Sequence, residues 1–148
     1  MILDKNLLMS SAQAVTVTAA STDVIDQGVA RDLGPGEGVK VLAQVHTAFA
    51  STDAATLTVA LQGSTDNSTF TTYARSRDYA VAEIDVVGTR LLEIDVPRPA
   101  GEAALPRYLR MHYTVTTGDF IAGGKITAGL VCGRDDIVAY PAGVNVLN

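Results

Sequence analysis

With 148 residues, the chain is long enough for one domain with a hydrophobic core of its own. Apolar residues make up 47% but aromatics only 5%, with no Trp, so the expected core is built of Val, Leu, Ile and Ala. Eleven basic against sixteen acidic residues leave a net charge of −5, which argues against the clustered Lys and Arg of a double-stranded nucleic-acid binder. The single cysteine, Cys132, excludes an intrachain disulfide framework and a cysteine-rich zinc site. Charged residues, at 18%, leave more neutral surface than usual, as fits an assembly subunit or an ordinary tight β-domain. No stretch approaches the roughly twenty apolar residues of a membrane helix. The start, MILDKNLLMSS, has too short an apolar run for a signal peptide, so the expected compartment is the cytoplasm or a larger particle assembled there.

Residues 1–12 read as an apolar N-terminal arm carrying Ile2, Leu3, Leu7, Leu8 and Met9, packed on its own domain or laid across a neighbour. Segments 14–18 and 22–27 read as short strands separated by Ala-Ala-Ser, and 28–38 as a turn-rich loop. The glycines of Gly34-Pro35-Gly36-Glu37-Gly38 lack the Lys-Ser/Thr of a phosphate loop. From Val39 to Phe49 odd positions are mostly apolar, with Lys40, Gln44 and His46 on the other face. Leu57, Val59 and Leu61 face inward from the next strand, and a turn at 63–68 returns the chain through Phe70–Arg75 as a hairpin. Asp66 and Asn67 resemble a fragment of a calcium loop, but the remaining ligands are missing and turn chemistry accounts for them. Residues 79–87 suit a strand or a short helical turn; Leu92, Ile94 and Val96 alternate with Glu93 and Asp95. After Pro97, Pro99 and Gly101 comes the strongest pattern, 105–132, read as a hairpin. In it Leu109, Met111, Tyr113 and Val115 share a face, as do Ile126, Ala128, Leu130 and Cys132. Residues 136–148 form a C-terminal tail or edge strand. About eight short strands with turns between them, and no helical period, predict an all-β chain: an antiparallel β-sandwich of jelly-roll type over residues 13–135, with an extended arm before it.

Candidate chemistry is sparse. His46 and His112 lie on polar strand faces and could meet only if their strands were neighbours; two imidazoles alone make an incomplete metal site. Cys132 falls on an apolar face, as an inert buried thiol would. The pairs Glu83/Asp85 and Glu93/Asp95 have the i, i+2 spacing of carboxylates on one strand face, but lack the aromatic platforms that accompany glycosidase sites. No Gly-x-Ser-x-Gly elbow is present. The expectation is a binding protein without enzymatic activity, cofactor or metal.

Three segments occur in a distinctive order: MILDKNLLMSSAQAVTVTAASTDVIDQGVARDLGPGE, LTVALQGSTDNSTF and RYLRMHYTVTTGDFIAGGKITAGLV. Together they resemble the capsid cement (decoration) proteins of tailed phages, of the type found on the Bordetella podovirus. The resemblance runs from Met1 through Val131. It implies a jelly-roll subunit on the outer surface of an icosahedral head, assembled in the host cytoplasm. It also implies that the subunit bridges capsomers of an HK97-fold major capsid protein, as a homodimer near two-fold positions, touching neither nucleic acid nor membrane. The candidate partner interface is apolar: Ile2, Leu3, Leu7 and Leu8 in the arm, and Tyr140, Val144 and Val146 in the tail. Phe120 and Ile121, in the Gly118–Gly124 connection, join them; tucking under the sheet is the default for such a pair, since adjacent exposed apolars are uncommon on a monomer. The competing reading is a carbohydrate- or ligand-binding β-module of a fibre or adhesin.

Overall fold

The alternating runs of the sequence become strands, because a half-buried strand must turn every second side chain toward the core. The computed structural model describes residues 4–30, 38–96, 105–121 and 123–132. In chain order the strands are β1 (Leu8–Ala14), β2 (Ala19–Ala20), β3 (Ile25–Asp26), β4 (Val39–Thr47), β5 (Thr56–Ser64), β6 (Thr71–Arg75), β7 (Tyr79–Ala80), β8 (Arg90–Asp95), β9 (Tyr108–Thr116) and β10 (Lys125–Cys132). Single 3₁₀ turns cover Lys5–Leu7 and Val81–Glu83.

One sheet runs β1-β10-β4-β8; the other runs β2-β9-β5-β6, with β3 also on β9 and β7 also on β5. Every pairing among the described residues is antiparallel. The partners are those of a chain folded in half: β1 takes β10, β2 and β3 take β9, β4 takes β8, and β5 takes β6 and β7. The fold is an antiparallel β-sandwich.

The structure corrects the reading of two segments and places a third. Residues 105–132 are not a hairpin, since β9 and β10 lie in different sheets and the connection between them crosses the sandwich. Alternation fixes which face a residue takes but not which strand lies beside it, and this connection is long enough to span the ~10 Å between packed sheets. Part of the segment expected as an arm, 1–12, packs on its own domain, one of the two placements open to it, because Leu8–Ala14 is a sheet strand paired with β10. Gly129 makes this seating possible: a Cβ there would lie 2.6 Å from the Leu7 carbonyl oxygen. The AlaAlaSer stretch read as a separator contains β2, whereas 15–18 is a connection. The loop core at 31–37, the Pro97–Gly101 break and the tail 136–148 lie outside the described residues.

The core fills the space between the sheets. Val41, Ala43 and Val45 of β4 pair with Leu130, Ala128 and Ile126 of β10. They face Leu57, Val59 and Leu61 of β5 and Leu109, Met111 and Tyr113 of β9 across the sandwich, all buried in one cluster. The end nearest the β9–β10 connection is closed by Val15, Phe49, Ile84 and Phe120. Phe49 and Phe120 meet edge-to-face with ring centres 4.9 Å apart. The Phe49 ring lies over Gly124, where a Cβ would come within 2.2 Å of it.

One polar chain runs through this core. The Tyr113 hydroxyl lies 2.7 Å from Ser10 Oγ, and Ser10 donates to Gln13 Oε1 at 2.6 Å. Because the serine proton is committed to Gln13, Tyr113 is the donor in the first bond. Gln13 Nε2 donates to the Ala20 carbonyl at 2.8 Å, and the Thr22 amide donates to Gln13 Oε1 at 2.9 Å. Burial pushes the Tyr113 pKa up, so the phenol stays protonated, as its donor role requires. The chain ties β1 of one sheet to β2 and β9 of the other.

Candidate functional site

The outer face of β5 and β9 carries the polar half of both alternations. Their register sets Thr56 opposite Thr116, Thr58 opposite Thr114, Ala60 opposite His112 and Gln62 opposite Arg110. Thr58, Ala60, Gln62, His112, Thr114 and Thr116 line a shallow groove of about 400 Å³ with Thr72, Arg75 and Asp78. The Thr56 and Thr116 hydroxyls are 2.6 Å apart, and Thr58 donates to the Asp78 carboxylate. Arg110 stacks over Phe70 at 3.6 Å and donates through Nε to Gln62 Oε1 at 2.9 Å. Burial lowers the His112 pKa, and the Arg110 guanidinium acts in the same direction, so the neutral imidazole is favoured. Among the described residues no Tyr or Phe lines this groove.

The histidines do not meet. His46 is on β4 and His112 on β9, in opposite sheets. His46 Nδ1 instead lies 3.3 Å from Thr127 Oγ1, and His112 Nδ1 the same distance from Thr114 Oγ1. Among the described residues no cluster of three His, Cys, Asp or Glu side chains is placed to hold a metal. The glutamate of each acidic pair is engaged locally. Glu83 accepts two bonds from Arg77, at 2.9 and 2.6 Å, and one from the Ala80 amide; Glu93 is paired with Arg90. Asp66 accepts from Ser64 Oγ and from the Ser68 and Thr69 amides, which hold its pKa down to about 2 and shape the β5–β6 turn. Asp26 is held to about 2 chiefly by Arg107, which grips it through Nε at 2.7 Å and a terminal nitrogen at 2.8 Å.

Of the expected interface residues, Leu7 packs against the core cluster and Leu8 is half-buried opposite Gly129. Leu8 also borders a groove of about 410 Å³ with Lys5, Asn6, Ser11, Asp23 and Val24. Phe120 is buried, whereas Ile121 stands 48% exposed. Ile2, Leu3, Tyr140, Val144 and Val146 lie outside the described residues. Reading the sequence missed five further exposed apolars among the described residues, Val17, Val24, Val29, Val86 and Val87. Val17 sat within an expected strand, while an adjacent Val pair running into Gly88 was the available signal of an apolar turn.

Fold and surface together define a β-sandwich protein that presents open polar and apolar faces. Its sequence matches the Bbp16 family over residues 9–130, from β1 to β10, and the chain belongs to this family of Bordetella phage proteins. Comparison with curated proteins gives no match.

Proposed function

We propose that this protein is a capsid cement protein, which binds the outside of a phage head and bridges neighbouring capsomers of an HK97-fold major capsid protein, as a homodimer. The observation that carries the reading is the family match, which spans both sheets and names a phage family. The strand order adds support, since a chain folded in half and wrapped into two facing sheets fits a jelly roll. On this reading the protein is a binding part and does no chemistry of its own.

The mechanism is linkage. A subunit that binds the closed lattice better than separated capsomers stabilises the lattice by that difference. A dimer gripping two capsomers makes its second contact at high effective concentration, so each contact can be modest. An interface of ~1,600 Å² suffices to hold one subunit. With Leu7 and Leu8 seated on their own sheet, the arm's outward contribution narrows to Ile2 and Leu3. Co-sedimentation with expanded heads that lack the protein tests the reading. Saturable binding is expected, and removal of residues 1–3 is expected to weaken it without unfolding the sandwich. Failure of the intact chain to bind heads, together with capture on a glycan array, would instead support the ligand-binding module.

A further inference from the structure

We infer that the end of the sandwich bearing the β9–β10 connection is a rigid protein-docking face, whose partner presents an apolar socket bordered by Lys or Arg. On the reading above, that partner is the outer surface of the capsid shell, and the inference rests on it.

Three observations converge on this end. First, its connections are hydrogen-bonded to one another in a row. The Phe120 amide donates to the Thr16 carbonyl at 3.0 Å, Ile121 to Ala50 at 2.9 Å, and Phe49 to Ile84 at 3.1 Å. Loops braced in this way lose little freedom on binding, which removes one of the main costs of association. Secondly, apolar side chains stand out from the braced loops. Val17 is 52% exposed, Ile121 48%, Val86 62% and Val87 63%. These are four of the six large hydrophobics exposed among the described residues; the other two, Val24 and Val29, flank β3 near the opposite end. Thirdly, Thr117 holds φ 63°, a left-handed conformation that is a genuine outlier for a β-branched residue. Strain of this kind concentrates where geometry serves binding. The next residue, Gly118 (φ 136°), is pressed against Asp53: a Cβ would lie 2.8 Å from that side chain.

Charge then selects the occupant. Ser51 Oγ donates to the Asp119 carbonyl at 2.9 Å and accepts from the Asp53 amide at 3.1 Å, which anchors both aspartates beside the Ile121 turn. Asp85 lies next to Val86, and Lys125, at the start of β10, is the one lysine at this end. Arg77 at this end is engaged with Glu83, and Arg75 lies near Asp78. The face is therefore apolar with an acidic border. A second copy docked face to face would set acidic border against acidic border, whereas a basic border on the partner is attracted.

The test is affinity for expanded, cement-free heads at two salt concentrations. Ile121→Asp and the double variant Asp53→Lys/Asp119→Lys are each expected to bind at least tenfold more weakly. Val29→Asp, at the opposite end, is expected to bind like the parent, and the parent's affinity is expected to fall as salt rises. All three variants should melt like the parent, because the Ile121 main-chain bond does not depend on its side chain. If Val29→Asp loses binding while the other two retain it, the docking face is at the opposite end and the proposal is overturned. If Ile121→Asp converts a dimer to a monomer in sedimentation velocity, the occupant is a second copy, and the assignment to the shell is wrong. If the parent itself does not bind heads, the cement reading falls and takes the assigned partner with it.

Discussion

At the scale of single residues, two side-chain arrangements make separable claims. The buried relay from Tyr113 through Ser10 to Gln13 joins the sheets, so its members should couple. Ser10→Ala leaves a phenol hydroxyl in the core without its acceptor, at a cost of about 1–3 kcal/mol; Tyr113→Phe removes the donor and should cost less, about 1 kcal/mol. Urea unfolding of both single variants and the double variant should give a coupling of at least ~0.5 kcal/mol, and strict additivity would show that the relay is not a unit. On the surface, Arg107 holds Asp26 to a pKa of about 2 against a usual 3.8. A carboxylate whose pKa is lowered by folding contributes stability above its unfolded pKa and loses it as pH falls through the folded one, here between 3.8 and about 2. Carboxyl titration by NMR should show Arg107→Ala raising Asp26 toward the ordinary range. Asp66, held down by Ser64 and backbone amides, should not move.

At the scale of elements, β1 is the piece on which the cis seating of the chain's start depends. Its register with β10 shifts twice, both Met9 and Ser10 are buried, and Ala12 takes φ 50°. The strand begins by crossing Gly129 so closely that a side chain there would strike the Leu7 carbonyl, and a backbone atom cannot swing aside. Gly129→Ala should therefore destabilise the domain by about 1–3 kcal/mol and speed hydrogen exchange in Met9 and Ser10 before the rest of the sheet. Uniform exchange across the sheet would contradict the seating. The same irregularities explain what the sequence could not disclose. The cores of β4, β5, β9 and β10 were legible because one face of each stays apolar at every second position, with Val41, Ala43 and Val45, then Leu109, Met111 and Tyr113, falling on one face each. A strand with two register shifts breaks the period of two, so β1 read as an arm. Strands β2, β3 and β7, of two residues each, are too short to show any period. The apolar end of the sandwich was half legible: the Phe120–Ile121 pair stood out, but which of the two turns inward is decided by Phe49, distant in sequence. The opposite placement of His46 and His112 likewise follows from long-range pairing, which alternation does not encode.

For the whole molecule, the sandwich is a block held rigid by two sheets and a relay between them, with four of the six large apolars exposed among the described residues gathered at one end. The cement proposal asks this block to add differential affinity for a closed shell. At a free concentration one hundred times the dissociation constant, each occupied site stabilises the bound state by about 2.7 kcal/mol. Many sites acting on one lattice then give a large collective effect. The most direct measurement is the temperature at which expanded heads disassemble, followed by light scattering as purified protein is added back to heads lacking it. The disassembly temperature should rise with concentration and level off at full occupancy, while unexpanded shells show little change. A disassembly temperature that does not move, at concentrations where the protein is shown to be folded, would contradict the role proposed for it.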